Sequence, residues 1–186
     1  MQNNIKEILL KNPFIPVATI NSAADVEVIH RKLVDQNIKC IEITLRTSFA
    51  WEAVELFKNN YGDEFKVGVG TVVDVGQINK SVEKKVDFIV SPGFINAMVQ
   101  PLENCSIPFL VGVSTPSEIM RALSLNWNYL KFFPANLFGG VDALKAYGSV
   151  FPSIYFCPTG GIDDSNYKKY QSLNNVISIG GSWFLK

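Results

Sequence analysis

Apolar positions along this chain gather into eight short runs rich in β-branched and aromatic residues. They are FIPVATI (14–20), CIEIT (40–44), KVGVG (66–70), DFIV (87–90), PFLVGV (108–113), YLKFF (129–133), IYFC (154–157) and VISIG (176–180). Runs of this length and composition read as strands. They recur about every 23 residues, and the intervals carry helical spacing with cap-like openings. Asn21-Ser22, Thr115-Pro116-Ser117 and Asp163-Asp164 each stand at such an opening, with side-chain oxygens able to accept the first free amides of a helix. Strands alternating with helices at this spacing predict βα units and a parallel sheet. Eight units suit a (β/α)8 barrel, whereas an open doubly wound sheet usually has five or six strands. Leucine-rich repeats share the period but require an LxxLxL pattern that the chain lacks. The predicted fold is therefore α/β, a small (β/α)8 TIM barrel.

With 186 residues the barrel is short for its class, and no linker or low-complexity tract interrupts the pattern. One domain spanning residues 1–186 is expected. The eighth run is followed only by GSWFLK, so the last helix is expected to be absent or truncated. Something else must then cover that flank: the N-terminal segment NNIKEILLK, a neighbouring subunit, or residues outside this chain.

Charge and composition narrow the function. Seventeen Lys and Arg balance 17 Asp and Glu, so no basic excess supplies affinity for a phosphate backbone, and nucleic acid is not an expected partner. The start, MQNNIKEILLKNP, is too polar for a signal peptide, and no run is long enough to span a membrane. Cys40, Cys105 and Cys157 are odd in number and form no CxxC, which fits reduced buried thiols in a cytoplasmic protein. His30 is the single histidine, so zinc motifs of the finger or HExxH kind are impossible, and a helical surface position is expected for it. The chemistry of an enzyme built from this chain rests on Lys, Glu, Arg or Tyr.

A barrel places its active site at the C-terminal ends of the strands, so polar residues there are candidates. Lys131 lies inside YLKFF and shares a face with Phe133. Pointing inward, it would be partly desolvated, which disfavours the charged form and favours the free amine that imine chemistry needs. Pointing outward, it is only a strand-end lysine reaching solvent. Glu42 shares a face with Thr44, and Arg46 follows in the loop. An inward carboxylate in so apolar a run is costly unless paired or working. It is either a general acid/base beside an anion-gripping arginine or half of a structural ion pair. Gly68-Val69-Gly70-Thr71 offers close backbone approach and a hydroxyl, and Ser91-Pro92-Gly93 offers either a rigid apolar wall or a plain turn. Thr159-Gly160-Gly161 and Gly180-Gly181-Ser182 follow the seventh and eighth strands, the usual phosphate site of barrels, with SWFLK as the short helix beside it.

Taken together, EITLRT (42–47), VGVGTV (67–72), VSPG (90–93), LKFFPA (130–135), CPTGGI (157–162) and SIGGSW (178–183) resemble the 2-keto-3-deoxy-6-phosphogluconate (KDPG) aldolases, also called KDPG/KHG aldolases. The resemblance implies a class I, cofactor-free and metal-independent aldolase, usually a homotrimer. The family cleaves KDPG to pyruvate and glyceraldehyde 3-phosphate in the Entner–Doudoroff pathway, and many members also cleave 4-hydroxy-2-oxoglutarate (KHG) to pyruvate and glyoxylate. On this resemblance Lys131 matches the Schiff-base lysine and Glu42 the general acid/base. Arg46 and Thr71 match the residues holding the pyruvyl carboxylate, and Pro92 and Phe133 the pocket walls. Thr159, Gly160, Gly161, Gly181 and Ser182 match the phosphate end. The chain departs from the family pattern in its short C-terminus and at Asn136, where many members are acidic. A 2-dehydro-3-deoxy-6-phosphogalactonate aldolase, an imine-free phosphate-binding barrel enzyme and a non-catalytic sugar-phosphate-binding barrel are the competing expectations.

Overall fold

The computed structural model describes residue 2 and residues 4–186. Every one of the eight runs overlaps a strand: β1 (Phe14–Ala18), β2 (Cys40–Thr44), β3 (Lys66–Gly70), β4 (Phe88–Val90), β5 (Phe109–Val113), β6 (Tyr129–Phe132), β7 (Tyr155–Pro158) and β8 (Ile179–Gly181). The helices are α1 (Ile5–Lys11), α2 (Ala23–Asp35), α3 (Ala50–Tyr61), α4 (Val75–Glu83), α5 (Asn96–Asn104), α6 (Pro116–Ser124), α7 (Gly140–Val150) and α8 (Tyr167–Gln171). All strand pairs are parallel, in the order β7-β6-β5-β4-β3-β2-β1-β8. β7 and β8 meet through isolated bridges at Phe156–Val176 and Thr159–Gly180, which bring the sheet round into a (β/α)8 barrel.

β8 begins later than the run 176–180 predicts. Val176 makes only its single bridge to Phe156, and the Ser178 hydroxyl turns to the Asn12 carbonyl at 2.6 Å before regular pairing with β1 starts at Ile179. Two predicted helix starts are capping boxes, Ser22 with Asp25 and Thr115 with Glu118. The third is not: the Asp163 carboxylate accepts the Ser165 amide and hydroxyl in a local turn, and α8 starts only after Asn166. Those two bonds hold the Asp163 carboxyl below its usual range.

Side-chain alternation divides each strand between two layers. Ile41, Ile43, Val67, Val69, Ile89, Leu130 and Phe132 pack outward against the helices. Ile15, Cys40, Phe88, Val90, Leu110 and Cys157 fill the lower interior, where Ile5 and Leu9 of α1 join them. The N-terminal helix therefore closes the bottom of the barrel and does not cover the flank beside β8. Gln2 completes the seal, its side-chain amide donating to the Tyr129 carbonyl at 2.6 Å and accepting the Tyr129 amide at 2.9 Å. After β8 a single 3-10 turn, Trp183–Leu185, lies against α2, where Lys32 and Gln36 donate to the carbonyls of Leu185 and Phe184. His30 is not the free surface residue expected of it. Its ring stacks on Tyr61 at 3.6 Å, between α2 and α3, and its role is packing.

Candidate active site

Lys131 points into the barrel from β6, in register with Gly112 of β5 and Cys157 of β7. It is 5% exposed, and its Nζ lies 3.1 and 3.3 Å from the two carboxylate oxygens of Glu42, itself 3% exposed. Of the alternatives left open by the sequence, the lysine is interior, and the Glu42 carboxylate is paired with it. Lys131 does not sit bare in an apolar pocket, as desolvation alone suggested. An apolar floor of Phe88, Val90, Leu110 and Cys157 lies in the interior layer below. Burial among these groups pushes the Cys157 thiol up to about 12 and raises Cys40 further, so neither supplies a thiolate at neutral pH.

Room for the pair comes from missing side chains. A Cβ on Gly70 would collide with the Glu42 carboxylate, so β3 must be bare where β2 carries its acid. In the same way a Cβ on Gly112 would strike the Pro92 carbonyl, and Gly112 lets the turn after β4 lean over the site. The Phe133 ring stands 5.3 Å from Lys131 Nζ and forms a wall. Its carbonyl accepts from Ser114 Oγ at 2.8 Å, and Tyr147 OH donates to the Ser114 carbonyl at 3.0 Å, so the wall is anchored from behind.

Arg46 and Thr71 meet across the mouth. Arg46 Nε donates to Thr71 Oγ1 at 3.2 Å, which sets the guanidinium plane and leaves its two terminal nitrogens for an anion. Thr71 adopts φ +63, an uncommon conformation for a β-branched residue and one that marks strain held at a site. On the far side of the mouth, Gly160 (φ +103) and Gly161 (φ +66) follow β7 in left-handed backbone. The carbonyls of Thr159, Gly160 and Gly161 accept from Ala135 N, Asn136 N and Asn166 Nδ2. Among the described residues no protein acceptor takes the Gly161 amide, which suits an anion, while the Gly160 amide lies at the Thr159–Gly180 bridge. Thr159 packs against Gly180, and Ser182 is exposed at the rim. Gly181 has the opposite parity to Gly180 and lies under the Trp183 ring, so it serves that packing and offers the mouth only backbone.

Two groups at the mouth, Thr44 and Asn136, are given no role in the sequence reading of the site. Thr44 is buried, donates to the Ala18 carbonyl at 3.0 Å and lies 3.0 Å from the Thr19 hydroxyl. Asn136 covers Gly161 with its side chain.

A family model described as aldolase, KDPG and KHG aldolase, matches residues 5–186. The 2-dehydro-3-deoxy-phosphogluconate aldolase of Dickeya dadantii is 36% identical over 184 residues, covering 99% of this chain and 86% of that protein. Among solved structures, the KDPG aldolase of Legionella pneumophila, with pyruvate captured at low pH as a covalent carbinolamine intermediate, superposes with a TM-score of 0.92 at 39% identity. That match covers 96% of this chain and 86% of the other. The 2-keto-3-deoxy-6-phosphogluconate aldolase of Zymomonas mobilis ZM4 with 3-phosphoglycerate gives a TM-score of 0.92 at 34% identity, covering 98% and 87%.

Proposed function

The chain belongs to the KDPG and KHG aldolase family, and from this we infer that it is a class I aldolase cleaving KDPG to pyruvate and glyceraldehyde 3-phosphate, and KHG to pyruvate and glyoxylate. The observation that carries the assignment to residues is the buried Lys131–Glu42 pair at 3.1 Å. A proton passed from Nζ to the carboxylate leaves a free amine beside a neutral acid, which is the reactive state of a Schiff-base lysine. The amine attacks the C2 ketone to give a carbinolamine, and Glu42 protonates the departing hydroxyl. Loss of water leaves the iminium. The Glu42 carboxylate then takes the C4 hydroxyl proton, the C3–C4 bond breaks, and its electron pair enters the iminium as an enamine. The aldehyde leaves. Protonation of C3 and hydrolysis of the imine release pyruvate and restore the lysine.

Arg46 and Thr71 hold the pyruvyl carboxylate. The free terminal nitrogens of Arg46 and the Thr71 hydroxyl hydrogen support this placing. Pro92 and Phe133 wall the carbonyl against water. The phosphate is received at Thr159, Gly160, Gly161, Gly181 and Ser182, and the Gly161 amide, with no protein acceptor among the described residues, supports that end. The chemistry calls for no cofactor or metal. A homotrimer is part of the same proposal, supported by exposed Ile95, Met120, Leu137 and Phe138 on the fourth, fifth and sixth βα units. A cytoplasmic location belongs to it as well; no helix among the described residues is long and apolar enough to cross a membrane.

The test is borohydride reduction in the presence of pyruvate, followed by intact mass and peptide mapping. A pyruvate-sized adduct on Lys131, absent from Lys131→Ala, is the expected result, together with pyruvate release from KDPG. A folded protein that forms no adduct would remove the class I mechanism.

A further inference from the structure

The mouth carries a hydrogen-bond chain that ends on the Ala18 carbonyl, which can only accept. Thr44 has one hydroxyl hydrogen, and it goes to the Ala18 carbonyl at 3.0 Å. The 3.0 Å bond between Thr44 Oγ1 and Thr19 Oγ1 must then be donated by Thr19. Thr19 has spent its only hydrogen, so it presents lone pairs alone to whatever lies beside it.

Its place along β1 says what that is. Inward residues on this strand alternate from Ile15 through Val17 to Thr19, so Thr19 faces the mouth one step above Val17, which is in register with Glu42. Thr44 stands on the same face of β2 as Glu42, one inward position higher. On the other side Thr19 shares a cleft with Ser182, Asn21 and Leu185. The Asp25 carboxylate in that cleft is occupied by the amides of Asn21 and Ser22. Thr19 thus lies between the carboxylate that works at C4 and the rim proposed for the phosphate.

On the aldolase function proposed above, we infer that Thr19 is a specificity-determining residue that accepts a hydrogen bond from the C5 hydroxyl of KDPG. The C4 hydroxyl is engaged by Glu42, and the C5 hydroxyl is the only other donor between the reacting carbon and the phosphate. KHG carries a carboxylate at C5. An acceptor-only hydroxyl gives an anionic oxygen no hydrogen, so Thr19 favours the hydroxylated aldehyde fragment over glyoxylate.

The experiment is a comparison of kcat/KM for KDPG and KHG in wild type, Thr19→Val and Thr19→Ser. Valine keeps the branched shape at an exposed strand end and removes only the oxygen. The KDPG-to-KHG preference falls about 5- to 10-fold in Thr19→Val, the worth of one neutral hydrogen bond, and returns in Thr19→Ser. An unaltered preference in Thr19→Val would overturn the inference while leaving the aldolase function standing. A preference lost equally in Thr19→Ser would show that shape and not the oxygen decides, and would overturn it too. A wild-type protein that cleaves neither substrate would remove the function and the inference together.

Discussion

The Lys131–Glu42 pair makes a quantitative demand on stability as well as on chemistry. At 3.1 Å the attraction is about 5 kcal/mol for an effective dielectric near 20. Both side chains are at most 6% exposed, so each ion gives up several kcal/mol of hydration, and the intact pair comes out near zero. Removing one partner is a different matter. Lys131→Met leaves Glu42 facing an apolar floor, and about 3–5 kcal/mol of unfolding free energy is lost at neutral pH. Glu42→Met costs a similar amount for the opposite reason. The double variant Glu42→Met/Lys131→Met carries two unbranched apolar chains of similar length and recovers to the wild-type value or above it. Urea denaturation of all four proteins gives the coupling free energy, and pyruvate trapping, expected to vanish in both Lys131→Met proteins, reports the chemistry. Single variants as stable as wild type, or strictly additive losses, would refute a desolvated and mutually dependent pair.

Other consequences are simpler to read. Cys40 and Cys157 stay protonated in the fold because burial raises both, while in the unfolded chain they ionise near their ordinary 9.0. The folded state therefore holds more protons above that pH, and stability falls by about 2 kcal/mol between pH 9 and 10 for the two thiols. Cys40→Ala halves that slope, and a pH-independent unfolding free energy across the interval would contradict the burial of the thiols. Gly112→Ala drives a methyl group into the Pro92 carbonyl, costs about 1–3 kcal/mol and lowers the midpoint of thermal unfolding by about 2–4 °C for each. It also slows pyruvate adduct formation, because the wall over Lys131 moves.

Strand alternation was enough to show that Lys131 and Phe133, or Glu42 and Thr44, share a face. It does not say which face is the interior, so an outward lysine was equally consistent with the sequence. The partnership between Lys131 and Glu42 was no more visible, since it crosses the barrel and joins residues 89 apart. Thr19 gave no signal for a related reason. A lone threonine in FIPVATI is ordinary strand composition, and its meaning arises from the β1–β2 register that sets it against Thr44. The apolar stripe of α1 announced a helix with something to cover, but both the flank and the bottom of the barrel are apolar, and periodicity cannot choose between them.

One sequence feature carries more about the site than its turn-forming role suggests. A barrel interior is packed by side chains from every strand, so a functional residue fits only where a neighbouring strand gives up its own. Gly70 is bare beside Glu42, Gly112 beneath Pro92 and beside Lys131, and Gly180 against Thr159. Each glycine lies on the strand next to the residue it makes room for, and at all three an added Cβ would overlap the group it faces. Gly70 and Gly180 are thus the complements of the inward Glu42 and Thr159 side chains one strand away, and Gly112 makes room for the backbone of the Pro92 turn. Gly70 and Gly112 fall on strands flanking Glu42 and Lys131, which is the arrangement an interior acid and an interior lysine require.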